Sequence, residues 1–131
     1  QLGSGKRAWT VAGDGGFRMV CQALSTLAHN HANAVIFVMN NGVYAIEQVY
    51  VDIKSFQAGN EHKFDAFDIL PNWNYKGLAE AFGTNYYKAS TVRELNEVLN
   101  QLKKPTQLPT LVEVVMPQKV LPQQMLRLEQ G

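Results

Sequence analysis

Two short motifs in this chain combine residue types that bind metal ions and phosphate. Gly13-Asp14-Gly15-Gly16 ends one β-rich apolar run, and Asn40-Asn41-Gly42 ends the next, with twenty-four residues between Gly15 and Asn40. An aspartate carboxylate and an asparagine amide oxygen are hard ligands of the kind Mg²⁺ takes. That ion usually draws few ligands from protein and the rest from phosphate and water. The backbone carbonyl of Val43, just past the second motif, offers a third oxygen. Gly15 and Gly16 leave the backbone bare where the chain enters a helix, so the N–H groups of Gly16 and Phe17 can approach a phosphate there. Either motif alone is commonplace in turns. Their joint placement at the ends of two consecutive strands points to a metal-diphosphate site.

The elements that must hold these motifs are legible in the hydrophobic pattern. Arg7-Ala12 reads as a strand. From Phe17 to Asn30, the residues Phe17, Val20, Cys21, Leu24, Leu27 and Ala28 recur at helical spacing. Ala34-Met39 is a continuous apolar run of strand length, typical of a parallel sheet covered on both faces. These three make a βαβ unit. In open parallel sheets ligands bind at the carboxyl ends of the strands, where both motifs lie.

The second half repeats the rhythm. It has a helix over Tyr75-Phe82 closed by Gly83, a strand over Asn85-Ala89, a helix over Thr91-Leu102 and a strand over Thr110-Met116. A short helix over Pro122-Glu129 ends the chain. Thr91 and Glu94 have capping-box spacing, Lys103 and Lys104 suit the helix C-terminus, and Pro105 stops it. Between Tyr50 and Trp73 periodicity fails, which predicts a long loop of the kind that is often functional. The fold class is α/β with a mostly parallel sheet.

The two motifs and their spacing resemble the signature of thiamine-diphosphate enzymes. The segments GDGGFRMVCQALSTL (13–27), VIFVMNNGVYAIEQVY (35–50), NWNYKGLAEAFG (72–83) and PTLVEVVMPQKVLP (109–122) are similar to the pyrophosphate-binding domain of 2-oxo acid decarboxylases. The group acting on pyruvate, indolepyruvate, phenylpyruvate and branched-chain 2-oxo acids is the nearest. The resemblance implies a three-layer α/β/α fold and two cofactors, thiamine diphosphate and Mg²⁺. It gives Asp14, Asn41 and the Val43 carbonyl to the metal, and Gly13, Gly15, Gly16 and Phe17 to the diphosphate. Ile46 is placed near the thiazolium and substrate, and Glu47 is the active-site glutamate. A carboxyl beside an apolar residue at a cofactor edge is partly desolvated, which raises its pKa and suits a proton donor near neutral pH. Without the motif before it, Glu47 would read as an ordinary first-turn glutamate favoured by the helix dipole.

The chain departs from the family where Gly16 replaces the usual Ser or Thr and Ala23 the usual Glu. Val120 stands where Asp is common. The family also implies parts not seen here. Only twelve residues precede Gly13, and the chain begins with Gln. The expectation is one N-terminally truncated domain, 1–131, lacking its first strand and helix and inactive alone. The pyrimidine-binding domain, with its activating glutamate and adjacent histidine pair, would come from a partner subunit of a homodimer or homotetramer. His29, His31 and His62 do not reproduce that pair. The implied reaction is decarboxylation of a 2-oxo acid substrate to an aldehyde and CO₂. The competing readings are a carboligase of the acetolactate synthase type, which generally lacks the glutamate, and a non-catalytic remnant whose exposed sheet edge would favour association.

Composition narrows the field. Twelve Lys+Arg against eleven Asp+Glu give a formal charge of +1, and no basic run exceeds two residues, so nothing supports nucleic-acid binding or an anionic membrane surface. No apolar run nears the ~18 residues that span a bilayer. A single cysteine, Cys21, excludes an internal disulfide and reads as a small buried hydrophobe. With the family resemblance, this places the expected location in the cytoplasm. Gly3-Ser4-Gly5-Lys6 fails as a phosphate-binding P-loop because Arg7 follows the lysine and a strand follows in place of a helix.

Overall fold

The computed structural model describes residues 6–57, 63–104 and 106–127. Its centre is β2 (Ala34–Asn40), whose first five residues are all buried. A strand with no polar face is stable only when flanked and covered. β2 lies between β1 (Ala8–Gly13) and β4 (Thr110–Val115), with β3 (Asn85–Ala89) outermost, in the order β1-β2-β4-β3. All three pairings are parallel, with Ala8 opposite Ala34, Val35 opposite Thr110, and Asn85 also opposite Thr110. The expected parallel α/β sheet is therefore present.

Alternation along the strands divides the core into two layers. Ile36, Val38 and Leu111 face one side, where Phe17 of α1 (Asp14–Val20), Leu24 of α2 (Ala23–His29) and Tyr75 and Ala79 of α4 (Tyr75–Ala81) pack on them. Val35, Phe37 and Val112 face the other side, against Val98 and Leu102 of α5 (Val92–Leu102). Each such buried side chain contributes roughly 1.5–3 kcal/mol. This is the expected three-layer arrangement. On the α5 side the cover stops short of β1, and Trp9 and Val11 remain more than half exposed. Trp9 leans on Phe37, with ring centroids 5.3 Å apart.

Two expectations need correction. The single helix over Phe17-Asn30 is two helices, and the first begins at Asp14, directly after its N-cap Gly13. At the seam Leu24 N–H bonds Cys21 O and Ser25 N–H bonds Gln22 O, three-residue links that tighten the chain in place of the α-helical ladder. Phe17, Cys21, Leu24 and Leu27 still share one face, but Val20 turns out to solvent. The expected long loop is partly regular: α3 (Ala45–Asp52) runs into a 3₁₀ turn (Ile53–Phe56), and Val43 forms a lone antiparallel bridge with Ile69. Of the expected terminal helix, the described residues form α6 (Gln123–Leu126), and 128–129 lie outside them.

The capping box of α5 is formed as expected, and Gly83 follows α4 at φ +69°. Cys21 is half-buried against the core beside Leu24. His29 ends α2 in solvent, and His31 takes a left-handed φ of 49° after it. The Gly3-Ser4-Gly5 segment, His62, Pro105 and Glu129 lie outside the described residues.

Candidate functional site

The parallel register sets Gly13 opposite Met39, so the chain leaves β1 and β2 at the same sheet edge. There Asp14 joins the two turns. Its carboxylate is buried, Oδ1 accepts the Gly15 N–H at 3.0 Å, and Oδ2 accepts the Gly42 N–H at 2.7 Å. A carboxylate has about four acceptor positions, so both oxygens keep capacity for a cation. Gly42 sits at φ +70°, the left-handed region that glycine enters at little cost, and this reverses the chain into the second turn. Asn41 Oδ1 accepts the Val43 N–H at 3.3 Å, and the Val43 carbonyl accepts the Ala45 N–H at 2.9 Å. Each of these oxygens also retains a lone pair.

Asp14, Gly16, Asn41, Val43, Ile46 and Glu47 line one cleft of about 440 Å³. Gly13 and Gly15 join them, so eight of the nine residues singled out in the sequence meet at one place. The exception is Phe17. Its side chain is buried beneath α1, 6.0 Å from the Tyr75 ring, and does not line the cleft. Its backbone N–H is the fifth counted from N-cap Gly13 and belongs to the helical ladder, so the N–H groups ahead of it are the ones left for an anion. The two glycines differ in kind. A Cβ at Gly15 would stand 2.3 Å from the Tyr44 ring, whereas one at Gly16 would meet nothing within 4 Å. A side chain at Gly16 would therefore project freely, and glycine there leaves backbone donors.

Glu47 stands in the first turn of α3 and Ile46 beside it is half exposed. The segment 65–70 braces that turn: Tyr44 N–H donates to Asp68 O at 2.8 Å and Leu70 N–H to Gly42 O at 2.9 Å. Asp68 itself is almost fully buried, and its Oδ2 has no hydrogen-bond partner among the described residues. Burial pushes its carboxyl pKa up, and the nearby Glu47 and Asp65 carboxylates push it further.

The sheet also reaches the site from below. Asn40, the last residue of β2, donates from Nδ2 to Glu113 Oε1 at 2.8 Å, and Tyr86 OH donates to Glu113 Oε2 at 2.5 Å. Lys88 lies 3.9 Å from the same carboxylate. Glu113 is thus a buried charge with partners on both flanking strands. Burial, and then the bond to Glu113, hold the Tyr86 hydroxyl well above the usual phenol range.

Sequence reasoning missed Asp68, Gln48 and Glu113, and did not give Tyr44 its place against Gly15. Asp68 lies where periodicity fails and offered no signal. Glu113 offered one, a lone acid within an apolar strand, TLVEVV.

The oxygens present fit a divalent cation that shares its shell with an anion. No group of three His, Cys, Asp or Glu side chains able to hold a metal exists among the described residues. One carboxylate, one amide oxygen and one carbonyl form too sparse a cage for a metal held by protein alone. They suit Mg²⁺ that takes its remaining ligands from phosphate and water.

Comparison with known proteins gives the same direction. Residues 1–114 match the family model described as "Thiamine pyrophosphate enzyme, C-terminal TPP binding domain". Pyruvate decarboxylase 4 of Arabidopsis thaliana is 34% identical over 103 residues, 77% of this chain and 15% of that protein. A thiamine metabolism regulatory protein of Saccharomyces cerevisiae is 30% identical over 120 residues, 87% of this chain and 18% of that protein. Among solved structures, the thiamine diphosphate-dependent 4-hydroxybenzoylformate decarboxylase of Rhodococcus jostii superposes with a TM-score of 0.72 at 22% identity. That match covers 86% of this chain and 20% of the other. The chain thus spans less than a fifth of the length of the two curated relatives named.

Proposed function

This chain belongs to the C-terminal TPP-binding domain family of thiamine pyrophosphate enzymes, and from that premise we propose that it holds thiamine diphosphate through Mg²⁺ and serves the non-oxidative decarboxylation of a 2-oxo acid. The observation that carries the proposal is the meeting of Asp14, Asn41, Val43 and Glu47 on one cleft. Asp14, Asn41 and the Val43 carbonyl hold the metal, and the metal binds the diphosphate. The Gly16 N–H, in the first turn of α1, faces the same anion. When bound, thiamine diphosphate supplies the electron sink for breaking the carbon–carbon bond.

Glu47 moves the proton. Loss of CO₂ leaves an electron pair on the former carbonyl carbon, and that carbon must gain one proton before an aldehyde departs. A glutamic acid on the cleft wall beside the apolar Ile46 can supply it. The other half of the site, which holds the pyrimidine ring, is assigned to a partner subunit in a homodimer or homotetramer within the cytoplasm. A second reading, a non-catalytic protein of thiamine metabolism, is favoured by the similarity to the yeast regulatory protein.

The experiment needs the complete coding sequence, including whatever lies upstream of Gln1, expressed and assayed for CO₂ release from pyruvate and larger 2-oxo acids. Release that requires Mg²⁺ and thiamine diphosphate is expected. Glu47→Gln should then lower turnover by about 100-fold or more with cofactor retained, and Asp14→Ala should abolish cofactor retention. No release from any 2-oxo acid, with cofactor bound, supports the regulatory reading. Cofactor retention unchanged in Asp14→Ala refutes the metal assignment.

A further inference from the structure

Next to Glu47 lies a side chain that the chemistry above does not use. Gln48 is completely buried. Its Oε1 accepts the Asp65 N–H at 2.7 Å, and its Nε2 donates to Asp65 Oδ2 at 3.2 Å and to Ser55 Oγ at 3.4 Å. Backbone bonds complete a ring through the same residues. Gln48 N–H donates to Tyr44 O at 3.0 Å, Tyr44 N–H to Asp68 O at 2.8 Å, and Asp68 N–H to Asp65 O at 2.9 Å.

The ring encloses the first turn of α3, which carries Glu47. That turn has no side-chain cap of its own. A buried amide is costly unless bonded, and an apolar side chain could fill the space without needing partners. What the amide adds is direction. It fixes α3 against the 65–68 segment at two points on one residue, Asp65, so the turn cannot rotate without breaking both bonds.

We propose that Gln48 is a positioning residue for Glu47: its clamp on Asp65 sets the first turn of α3 and so the placement of the Glu47 carboxylate on the cleft wall. This rests on the reading of Glu47 as the proton-delivering group. Displacing a reacting group by about 1 Å can cost as much as 100-fold in rate, so the clamp governs turnover more than binding.

A double-mutant cycle on the complete enzyme tests it, with CO₂ release from the best 2-oxo acid as the readout. Gln48→Met keeps the packing volume and loses the bonds. It should lower kcat roughly 10- to 100-fold with KM and cofactor affinity nearly unchanged. In the Glu47→Gln background the same change should cost almost nothing further, because its effect passes through Glu47. Asp65→Asn, which keeps the backbone donor and one acceptor oxygen, should remain near the parent. If Gln48→Met does not fold, Asp65→Ala removes one of the clamp's bonds and should show the same dependence on Glu47. Losses that multiply in the double variant make Gln48 a general structural residue and overturn the proposal. So does a neutral Gln48→Met beside a severe Glu47→Gln, which leaves the decarboxylase reading standing. A neutral Glu47→Gln overturns both.

Discussion

Two helices of this molecule carry a glutamate in the first turn, and they are held by opposite means. In α5 the glutamate is spent on the backbone. Glu94 Oε2 accepts the Ser90 N–H at 2.6 Å and the Thr91 N–H at 3.2 Å, while Thr91 Oγ1 accepts the Glu94 N–H at 3.2 Å. In α3 the glutamate is released. Among the described residues no hydrogen bond or ion pair engages the Glu47 side chain, and the turn is held from outside by Asp68, by the Gln48–Asp65 clamp and by the Tyr44 ring on Gly15. A helix start that caps itself leaves no carboxylate for chemistry. One whose glutamate lines a cleft draws its support from distant segments.

The largest effect should come from breaking that distant support. Gly15→Ala drives a Cβ into the Tyr44 ring, the residue that opens α3. The ring has to leave its seat. A loss of about 1–3 kcal/mol in thermal or denaturant unfolding is expected, together with weakened cofactor binding. Gly16→Ala, one residue on, has open space and should be neutral or slightly stabilising, since alanine favours the helix. Equal effects at the two glycines would mean that Tyr44 does not brace the site.

The local support of α5 should yield less. Thr91→Ala removes the side-chain acceptor for the Glu94 N–H and should cost about 1 kcal/mol, with no change in cofactor binding. A change in cofactor affinity would join the two helices into one unit and erase the contrast.

The same contrast explains what could be read in advance. α5 was legible because its determinants are adjacent in sequence: Thr91 and Glu94 three apart, and Leu95, Val98, Leu99 and Leu102 on one face. The cleft was legible because the residues that line it sit at two neighbouring strand ends of a parallel sheet. The support of α3 was not legible. Gln48 meets Asp65 across a stretch with no period, and only the folded chain shows that a buried amide and a buried acid lie beneath Glu47. Phe17 was singled out for its backbone N–H on the expectation of a helix that starts there, and a helix that starts at Asp14 takes that N–H into its ladder.

Asp68 marks the cost on the α3 side. Its folded pKa is raised, first by burial and then by Glu47 and Asp65, so the folded state favours its protonated form. The contribution to stability is present below the unfolded aspartate pKa and is lost as pH rises through the folded value. Asp68→Asn removes the charge and should stabilise the protein at pH 7 by up to about 1 kcal/mol, with the gain vanishing in acid. A variant less stable than the parent at pH 7 would show that the charge is used, and the site would lose its sign of strain.

The smallest shift should come from Glu94→Gln. The backbone bonds from Ser90, then Thr91, hold the Glu94 carboxyl below the usual glutamate range. Its stabilising part is therefore present above the unfolded pKa and is lost as pH falls through the folded one. A glutamine oxygen can still accept those N–H groups but brings no negative charge to the helix N-terminus. The expected result is a slightly lower Tm at pH 7 that merges with the parent's in acid. Glu47→Gln, the same substitution in the other first turn, should not lower Tm at pH 7, because no backbone N–H depends on its carboxylate and its charge opposes that of the buried Asp68. Unfolding curves of both variants, taken at neutral and acid pH, decide it. An acid-dependent loss of stability at Glu47 would show a capping glutamate there too, and the division of labour between the two helices would fall.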